Sequence, residues 1–440
     1  MQIKIYFSSS SIFLFLSFYT IYMSNFLSLE KINYIRNKFK EYYQLYPAKN
    51  IIDISKREFG IGDFGKKISR RHLFFTTTDD FNSYLQKDTP FFVSYSVGYY
   101  TYPERRPMDK KEWYGADIVY EFDSDDFDLP CHHRHNVWLC KNKECNDWGY
   151  GNPSFCEKCK SQVEIIEWTC DECLDKAKEQ TIKLILFLEK EFKLDPSTFI
   201  ISFSGSKGYH VRITDKSILS LSKSSRLQLM NYILGNNLNL EKLGFINLKR
   251  VYQIPDPKTS MGWSKKILDF IINTIDTSSP QDLSKLLDIT LKKAKTLKEN
   301  KEVIIKKMYH NNIFSNGFKL SDKFWLNFIN KAIDSQSLKI DSQSSSDIYK
   351  IMRVPDTIHG GTGFLSTTLK DIDALKRFDA FSDPVIFDSE DIIKIKIIKP
   401  TPKFRIFKDY YGPYNFNEII EVKEGIAIFL VLKGVADFER

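Results

Sequence analysis

All seven cysteines of this 440-residue chain fall between Cys131 and Cys173, spaced C-x8-C-x4-C-x10-C-x2-C-x10-C-x2-C. A disulfide framework spreads its cysteines over a fold and uses an even number. An odd number in one stretch, with two C-x2-C pairs, marks thiolate ligation of a metal in a reducing compartment. His132, His133 and His135 stand in the same stretch and offer ligands to the same kind of ion. Residues 131–173 therefore read as an irregular zinc-binding insert between regular elements of a larger body.

That body is large and folded. Hydrophobic residues make up 42% of the chain and aromatics 15%, and the length suffices for two or three cores. A net charge of +8 permits a polyanionic partner without requiring one. Met1–Tyr22 carries an apolar run too short to span a bilayer comfortably, without a small-residue cleavage site. We read residues 1–22 as an upstream-start extension, with Met23 as the start. Leu29, Ile32, Ile35, Phe39 and Tyr42 recur at helical spacing, predicting a helix over 28–46. The stretches R-R-H-L-F-F-T-T-T (70–78) and P-F-F-V-S-Y-S-V-G-Y-Y-T-Y (90–102) predict strands, and residues 174–193 a helix. Lysine-rich residues 216–335 predict a helical accessory subdomain. Beyond a serine-rich connector (335–346), D-I-I-K-I-K-I-I-K and E-G-I-A-I-F-L-V-L-K read as β-type alternation. The plan is an α+β (α/β) body with mixed β-sheets, assembled from residues 23–130, 174–215 and 336–440. The insert 131–173 and the helical subdomain 216–335 interrupt it.

Three segments carry chemistry. In D-I-V-Y-E-F-D-S-D-D (117–126), alternate residues of a strand share a face, so Val119, Glu121, Asp123 and Asp125 align if the strand persists. Paired carboxylates on a rigid element suit two Mg²⁺ or Mn²⁺ ions; a solvated strand end running into an acidic turn is the plainer alternative. The strand–turn–strand at 200–213 centres on S-G-S-K-G-Y-H. Its glycines let backbone N–H groups approach a phosphate, and Lys207 and His210 add charge or donors, though a simple hairpin would look the same. In residues 340–365, Asp341 precedes Arg353, His359 and a Gly-Gly-x-Gly turn, a set suited to nucleotide phosphates.

Taken in order, these segments resemble the catalytic (small) subunit of archaeal and eukaryotic DNA primases, the archaeal form most closely. They are an acid pair on a strand, S-G-x-x-G-x-H, and D followed by R-x-P-x-x-x-H-G-x-x-G. R-R-H-L-F-F (70–75), K-E-W-Y-G-A-D-I-V-Y-E-F-D (111–123) and C-L-D-K-A-K-E-Q-T (173–181) support the likeness, which covers most of 24–215 and 340–440. It implies a nucleotidyltransferase with a three-carboxylate site for two Mg²⁺ or Mn²⁺ ions. The acids fall on Glu121, Asp123 and Asp341, with Asp125 as a rival to Glu121. The chain departs from the family by carrying Glu121 for Asp and Lys207 where Arg is common. Ser204, Gly205, Lys207 and His210, assisted by Arg353 and His359, are then expected to bind the incoming nucleotide.

The same resemblance implies a zinc site of Cys131, one neighbouring histidine (placed on His133), Cys170 and Cys173. Cys140, Cys145, Cys156 and Cys159 are left over in a ribbon-like spacing for a second zinc; one zinc with spare cysteines is the alternative. Expected partners are a single-stranded DNA template, NTPs or dNTPs, and a large regulatory subunit, with no membrane. The expected location is the cytoplasm, at the nucleoid or replisome, if the source is archaeal. Tyr95, Tyr99, Tyr100 and Tyr102 are candidates to stack template bases, or equally to pack in a core. Two rival functions stay open: a repair or mobile-element primase–polymerase, and a non-catalytic zinc-ribbon nucleic-acid-binding protein.

Overall fold

Two four-stranded sheets position the candidate acids, the S-G-S-K-G turn and Arg353 described below. The computed structural model describes residues 29–49, 51–248, 251–314, 320–340 and 345–439. The extension Met1–Tyr22, the start at Met23 and the expected metal ligand Asp341 lie outside them. In chain order the elements begin with α1 (29–45), β1 (Phe59–Asp63), β2 (Lys66–Leu73) and α2 (Thr78–Asp88). Next come β3 (Phe92–Ser96), β4 (Gly98–Tyr100), β5 (Trp113–Ala116) and β6 (Ile118–Asp123). The insert holds α3 (His132–His135), β7 (Val137–Cys140), β8 (Trp148–Tyr150) and β9 (Val163–Ile166), followed by α4 (Asp171–Phe192), β10 (Phe199–Phe203) and β11 (Gly208–Ile213). Then come α5 (Lys223–Leu234), β12 (Ile246–Asn247), β13 (Tyr252–Gln253), α6 (Gly262–Thr277), α7 (Pro280–Leu287), α8 (Leu291–Glu299), α9 (Lys301–Asn311), β14 (Ile313–Phe314) and α10 (Asp322–Gln336). The strands β15 (Ile351–Arg353) and β16 (Thr368–Leu369) return to the first sheets.

Two compact units result. One holds the described residues of Met1–Thr181, Ser197–Leu221 and Asp347–Arg440; the other holds those of Ile182–Pro196 and Ser222–Ser346. The second unit packs its helices around Trp263, Ile267, Ile271, Trp325 and Phe328. It also contains the small sheet β12-β13-β14, whose two-residue strands are too short for a periodic signal.

In the first unit one sheet runs β15-β3-β1-β2 and the other β16-β10-β11-β6. Every pairing of the described strands is antiparallel, not mixed as expected. The elements joining sheet neighbours make hairpins and long returns, and no β-helix-β crossover places two neighbours in the same direction. Three local expectations are also corrected. The 70–78 strand stops at Leu73, because Thr77 caps α2: its hydroxyl accepts from Asp80 N and the Asp80 carboxylate accepts from Thr77 N. The 90–102 strand breaks at Val97 into β3 and β4. E-G-I-A-I-F-L-V-L forms a helix, Glu424–Leu432, buried all round. A continuous apolar run shows neither the period of two nor that of 3.6, and packing decides it.

A buried charge cluster joins the two sheets. Asp117, just before β6, accepts from Arg57 Nη1, Arg212 Nη1 and Tyr99 OH, each at 2.7 Å. Arg57 Nη1 also donates to the carbonyls of Ser96 and Val97 at the end of β3. The guanidinium of Arg57 lies 3.8 Å from the Tyr99 ring centre, and that of Arg212 lies 3.9 Å from the Tyr95 ring centre. Tyr95 and Tyr99 are thus core residues packed on arginine, not exposed platforms for bases.

Candidate active site

The β6–β11 register sets Asp123 opposite Gly208, Glu121 opposite His210 and Val119 opposite Arg212. Glu121, Asp123 and His210 therefore share one face, while Tyr120 and Phe122 are buried on the other. A Cβ at position 208 would strike the Phe122 carbonyl and the Asp123 side chain, so glycine is what lets the strands close beside the acid. The strand ends at Asp123, and a 3₁₀ turn over Ser124–Asp126 carries Asp125 off the shared face.

Three of the four candidate acids are thus placed. Glu121 pairs with Lys350, and His210 Nε2 lies 3.7 Å from its other oxygen. Asp125 pairs with Lys207, which also stands 3.5 Å from Glu167. Asp123 forms no ion pair among the described residues. Burial pushes its carboxyl up to about 7; Lys207 opposes the rise, while Glu121, Asp125 and Asp126 add to it. Such crowding calls for added positive charge. The donors are hard oxygens on a rigid strand, so Glu121 and Asp123 fit a divalent cation.

These acids lie at one side of a cleft of about 400 Å³, lined also by Ser94, Ser204, Lys207, His210, Arg353 and His359. The S-G-S-K-G turn is organised by its own serine: Ser204 Oγ accepts from Ser206 N and Gly208 N at 3.3 and 3.2 Å. Those two amides are used inside the turn and are not open to a phosphate, contrary to the simplest expectation. Gly205 shapes the turn at φ +81°, and Thr362 Oγ1 donates to its carbonyl at 2.6 Å. Packed against this turn, His359 accepts from Gly361 N at Nδ1 at 3.1 Å, which leaves Nε2 as the protonated nitrogen. Burial, then Arg353 and other cations, hold His359 well below its usual range. Burial likewise lowers His210 to about 4 and Arg353 to about 10. At neutral pH both histidines are uncharged and Arg353 keeps its charge.

Glu121, Asp123, Asp125, Ser204, Lys207, His210, Arg353 and His359, predicted from three separate segments, thus line one cleft. Sequence reasoning missed Lys67, Lys350, Glu167, Trp168 and Lys433. Lys350 lay inside a segment singled out for chemistry, Glu167 and Trp168 inside the cysteine insert and Lys433 at the end of an apolar run, but none of the five carries a local motif of its own.

The cysteines form two clusters that can hold a metal ion. In the first, Cys131, His135, Cys170 and Cys173 bring their ligand atoms within 4.8 Å of one another; in the second, Cys140, Cys145, Cys156 and Cys159 do the same. Sγ···Sγ separations of hydrogen-bonded pairs within the clusters run from 3.3 Å (Cys140–Cys159) to 3.8 Å (Cys145–Cys156). Disulfides need about 2.05 Å, whereas a tetrahedron with Zn–S of about 2.3 Å needs about 3.8 Å. The histidine is His135, not His133. In the one-turn helix α3, Cys131 and residue 135 are four apart and share a face; His133 points to solvent. Asn136 Oδ1 accepts from Trp168 N at 2.9 Å and faces His135 Nδ1 at 3.1 Å. Nδ1 is therefore the donor, which leaves Nε2, 3.3 Å from Cys173 Sγ, as the nitrogen that could take a metal ion.

Among the described residues no helix is long and apolar enough to cross a membrane. Residues 150–371 match the family described as DNA primase small subunit. Curated relatives named DNA primase small subunit PriS align along nearly the whole chain. The protein of Methanococcoides burtonii is 26% identical over 433 residues, covering 94% of this chain and 100% of its own. Those of Nitrosopumilus maritimus (25% identical, 92% and 98% covered) and Methanocaldococcus jannaschii (26%, 87% and 90%) are similar. A match over half of the chain, backed by relatives of one description along most of its length, places this chain in the DNA primase small subunit family.

Proposed function

We propose that this chain is the catalytic subunit of a DNA-dependent primase, joining nucleoside triphosphates into short RNA or DNA primers on single-stranded DNA by two-metal nucleotidyl transfer. The observation that carries the reading is the shared strand face of Glu121 and Asp123, opposite His210 and inside the cleft of Arg353 and His359. Glu121, Asp123 and Asp341 are the residues that would hold Mg²⁺ or Mn²⁺, with Asp125 engaged by Lys207 instead. Bound there, the cations would lower the pKa of the attacking 3′-hydroxyl and offset charge on the α-phosphate and leaving pyrophosphate.

The chain's own side chains do the rest. Arg353 meets phosphate oxygens with a charged planar fork. His359 offers Nε2–H as a neutral donor. His210, neutral beside Glu121, can donate to or accept from a nucleotide without adding charge to the acid side. Ser204 holds the turn that closes the cleft floor. The first unit is then the catalytic body and the helical unit an accessory. Two structural zinc ions, on Cys131/His135/Cys170/Cys173 and Cys140/Cys145/Cys156/Cys159, complete the insert. We place the chain in the cytoplasm beside a large regulatory subunit.

The test is primer synthesis by the purified chain on single-stranded DNA with labelled nucleotides and Mg²⁺ or Mn²⁺, with and without a large subunit. Template-dependent short products from the wild type, absent from Asp123→Ala and Asp341→Ala, support the reading. Wild-type activity in both variants, or no product under any condition, refutes it.

A further inference from the structure

The cations that line the cleft differ in how they are paired. Lys207 is already engaged by Asp125 and Glu167, so the lysine of the S-G-S-K-G turn has its charge offset before any nucleotide arrives. For three other cations the balance is reversed. Among the described residues, Lys67, Arg353 and Lys433 line the cleft without forming an ion pair with any carboxylate.

Lys433 reaches this place through the fold. The helix Glu424–Leu432 is buried all round, and Lys433 is the first polar side chain after it. Its Nζ donates to the Glu167 carbonyl at 2.8 Å and lies 4.7 Å from the Trp168 ring centre. A carbonyl and an aromatic face fix an ammonium without cancelling its charge, and two of its three N–H donors stay free to face the cleft. Burial lowers Lys433 to about 8, so part of its desolvation cost is already present before a ligand binds. Arg353 Nη1 is buried with no hydrogen-bond partner. A buried donor without an acceptor is costly, and an anion in the cleft would satisfy it.

We propose that Lys433 and Lys67 join Arg353 as ligands of the nucleotide's polyphosphate tail, and that Lys207 serves the carboxylates instead. This rests on the nucleotide reading of the cleft given above. It adds residues from two segments outside the motifs and reassigns the one motif lysine. Lys433 sits against Trp168 on the wall of the cysteine insert, so it reads the tail from the insert side. Lys67, exposed on β2, reads it from the mouth.

The test is equilibrium binding of inorganic tripolyphosphate and of adenosine monophosphate to the full chain in EDTA, where no divalent metal bridges anion to acid. Lys433→Met keeps the apolar stem and removes the charge; its expected cost is about ten- to a hundredfold for tripolyphosphate, the worth of a charge-assisted hydrogen bond. Its affinity for the monophosphate should change by less than about threefold. Lys433→Arg should restore most of the loss. Lys67→Met should cost about three- to tenfold, less because it is exposed. Three results would overturn the proposal: Lys207→Met weakening tripolyphosphate as much as Lys433→Met does, equal losses for both ligands in Lys433→Met, or no tripolyphosphate binding by the wild type. Circular dichroism and zinc content of each variant keep a folding defect from passing as a binding loss. A wild type that binds tripolyphosphate but makes no primers would retain this anion site and refute the primase reading; active primer synthesis with unaltered KM in Lys433→Met would do the reverse.

Discussion

Removing the carboxylate of Asp117 tests what holds the two sheets together. The side chain is fully buried, and so is that of its partner Arg57. It takes three hydrogen bonds of 2.7 Å, two of them from guanidinium groups. Asp117→Asn keeps the shape but leaves Arg57 and Arg212 facing each other across a neutral amide. Breaking a buried ion pair on one side costs about 3–5 kcal/mol, and two cations lose their counter-charge here, so we expect the upper part of that range. Against a total stability of about 5–15 kcal/mol this is severe. It corresponds to a fall in Tm of about 10–15 °C for a unit of this size. The assay is urea unfolding followed by circular dichroism, with zinc content measured in parallel. The double variant Arg57→Met/Asp117→Asn should recover part of the loss, because one uncompensated cation is gone. A loss below about 1 kcal/mol in Asp117→Asn, with no coupling to Arg57, would refute the argument. The pH dependence gives a second check. Burial alone would raise the Asp117 carboxyl, but Arg57 and Arg212 overcome it and hold the group below the usual range. Its contribution is therefore present above the unfolded carboxyl pKa of about 3.9 and lost as pH falls through the lower folded value. The wild type should lose this increment in acid, and Asp117→Asn should not.

Other expectations can be checked on the same preparations. Asp123→Asn should abolish primer synthesis yet raise Tm in EDTA by about 5 °C at pH 8. The folded carboxyl titrates near 7, above its unfolded value, so its ionisation destabilises the fold increasingly from about pH 4 and fully above 7; a lower Tm in the variant would contradict this. For the same reason Mn²⁺ affinity, followed by electron paramagnetic resonance, should fall by about tenfold per pH unit below 7, because the proton must leave before the metal binds. A flat profile between pH 5.5 and 7 would show that Asp123 is not a ligand. His135→Ala should lower zinc content by about one ion per chain, whereas His133→Ala should leave it unchanged; the reverse result would restore His133 as the ligand.

The sequence was most legible where one local period decides the structure. Strand alternation was enough to put Glu121 and Asp123 on one face, and two glycines enough to place a turn between β10 and β11. It failed where the deciding contact is distant. Glu424–Leu432 has no period to read, and its burial against the rest of the first unit makes it a helix. His135 is selected over His133 by a single helical turn, a geometry invisible to spacing between cysteines. Lys207 has the right position for a phosphate but meets Asp125 and Glu167 first. Lys433 is more than two hundred residues from the wall it stands on, with nothing in its neighbours to announce it.

The nesting of the two cysteine clusters has a consequence for how the insert assembles. Cys140–Cys159 lies wholly within the span from His135 to Cys170. Closing the outer cluster on an unstructured chain means bringing together the ends of that whole loop. Once the inner cluster forms, it pinches out about half of the span, and each halving of a loop lowers its closure cost by about 0.6 kcal/mol. The inner cluster closes shorter loops and needs no such help. Maturation of the insert should therefore have a preferred order, inner cluster first, and the wall of the cleft at Glu167 and Trp168 should be the last part to become firm.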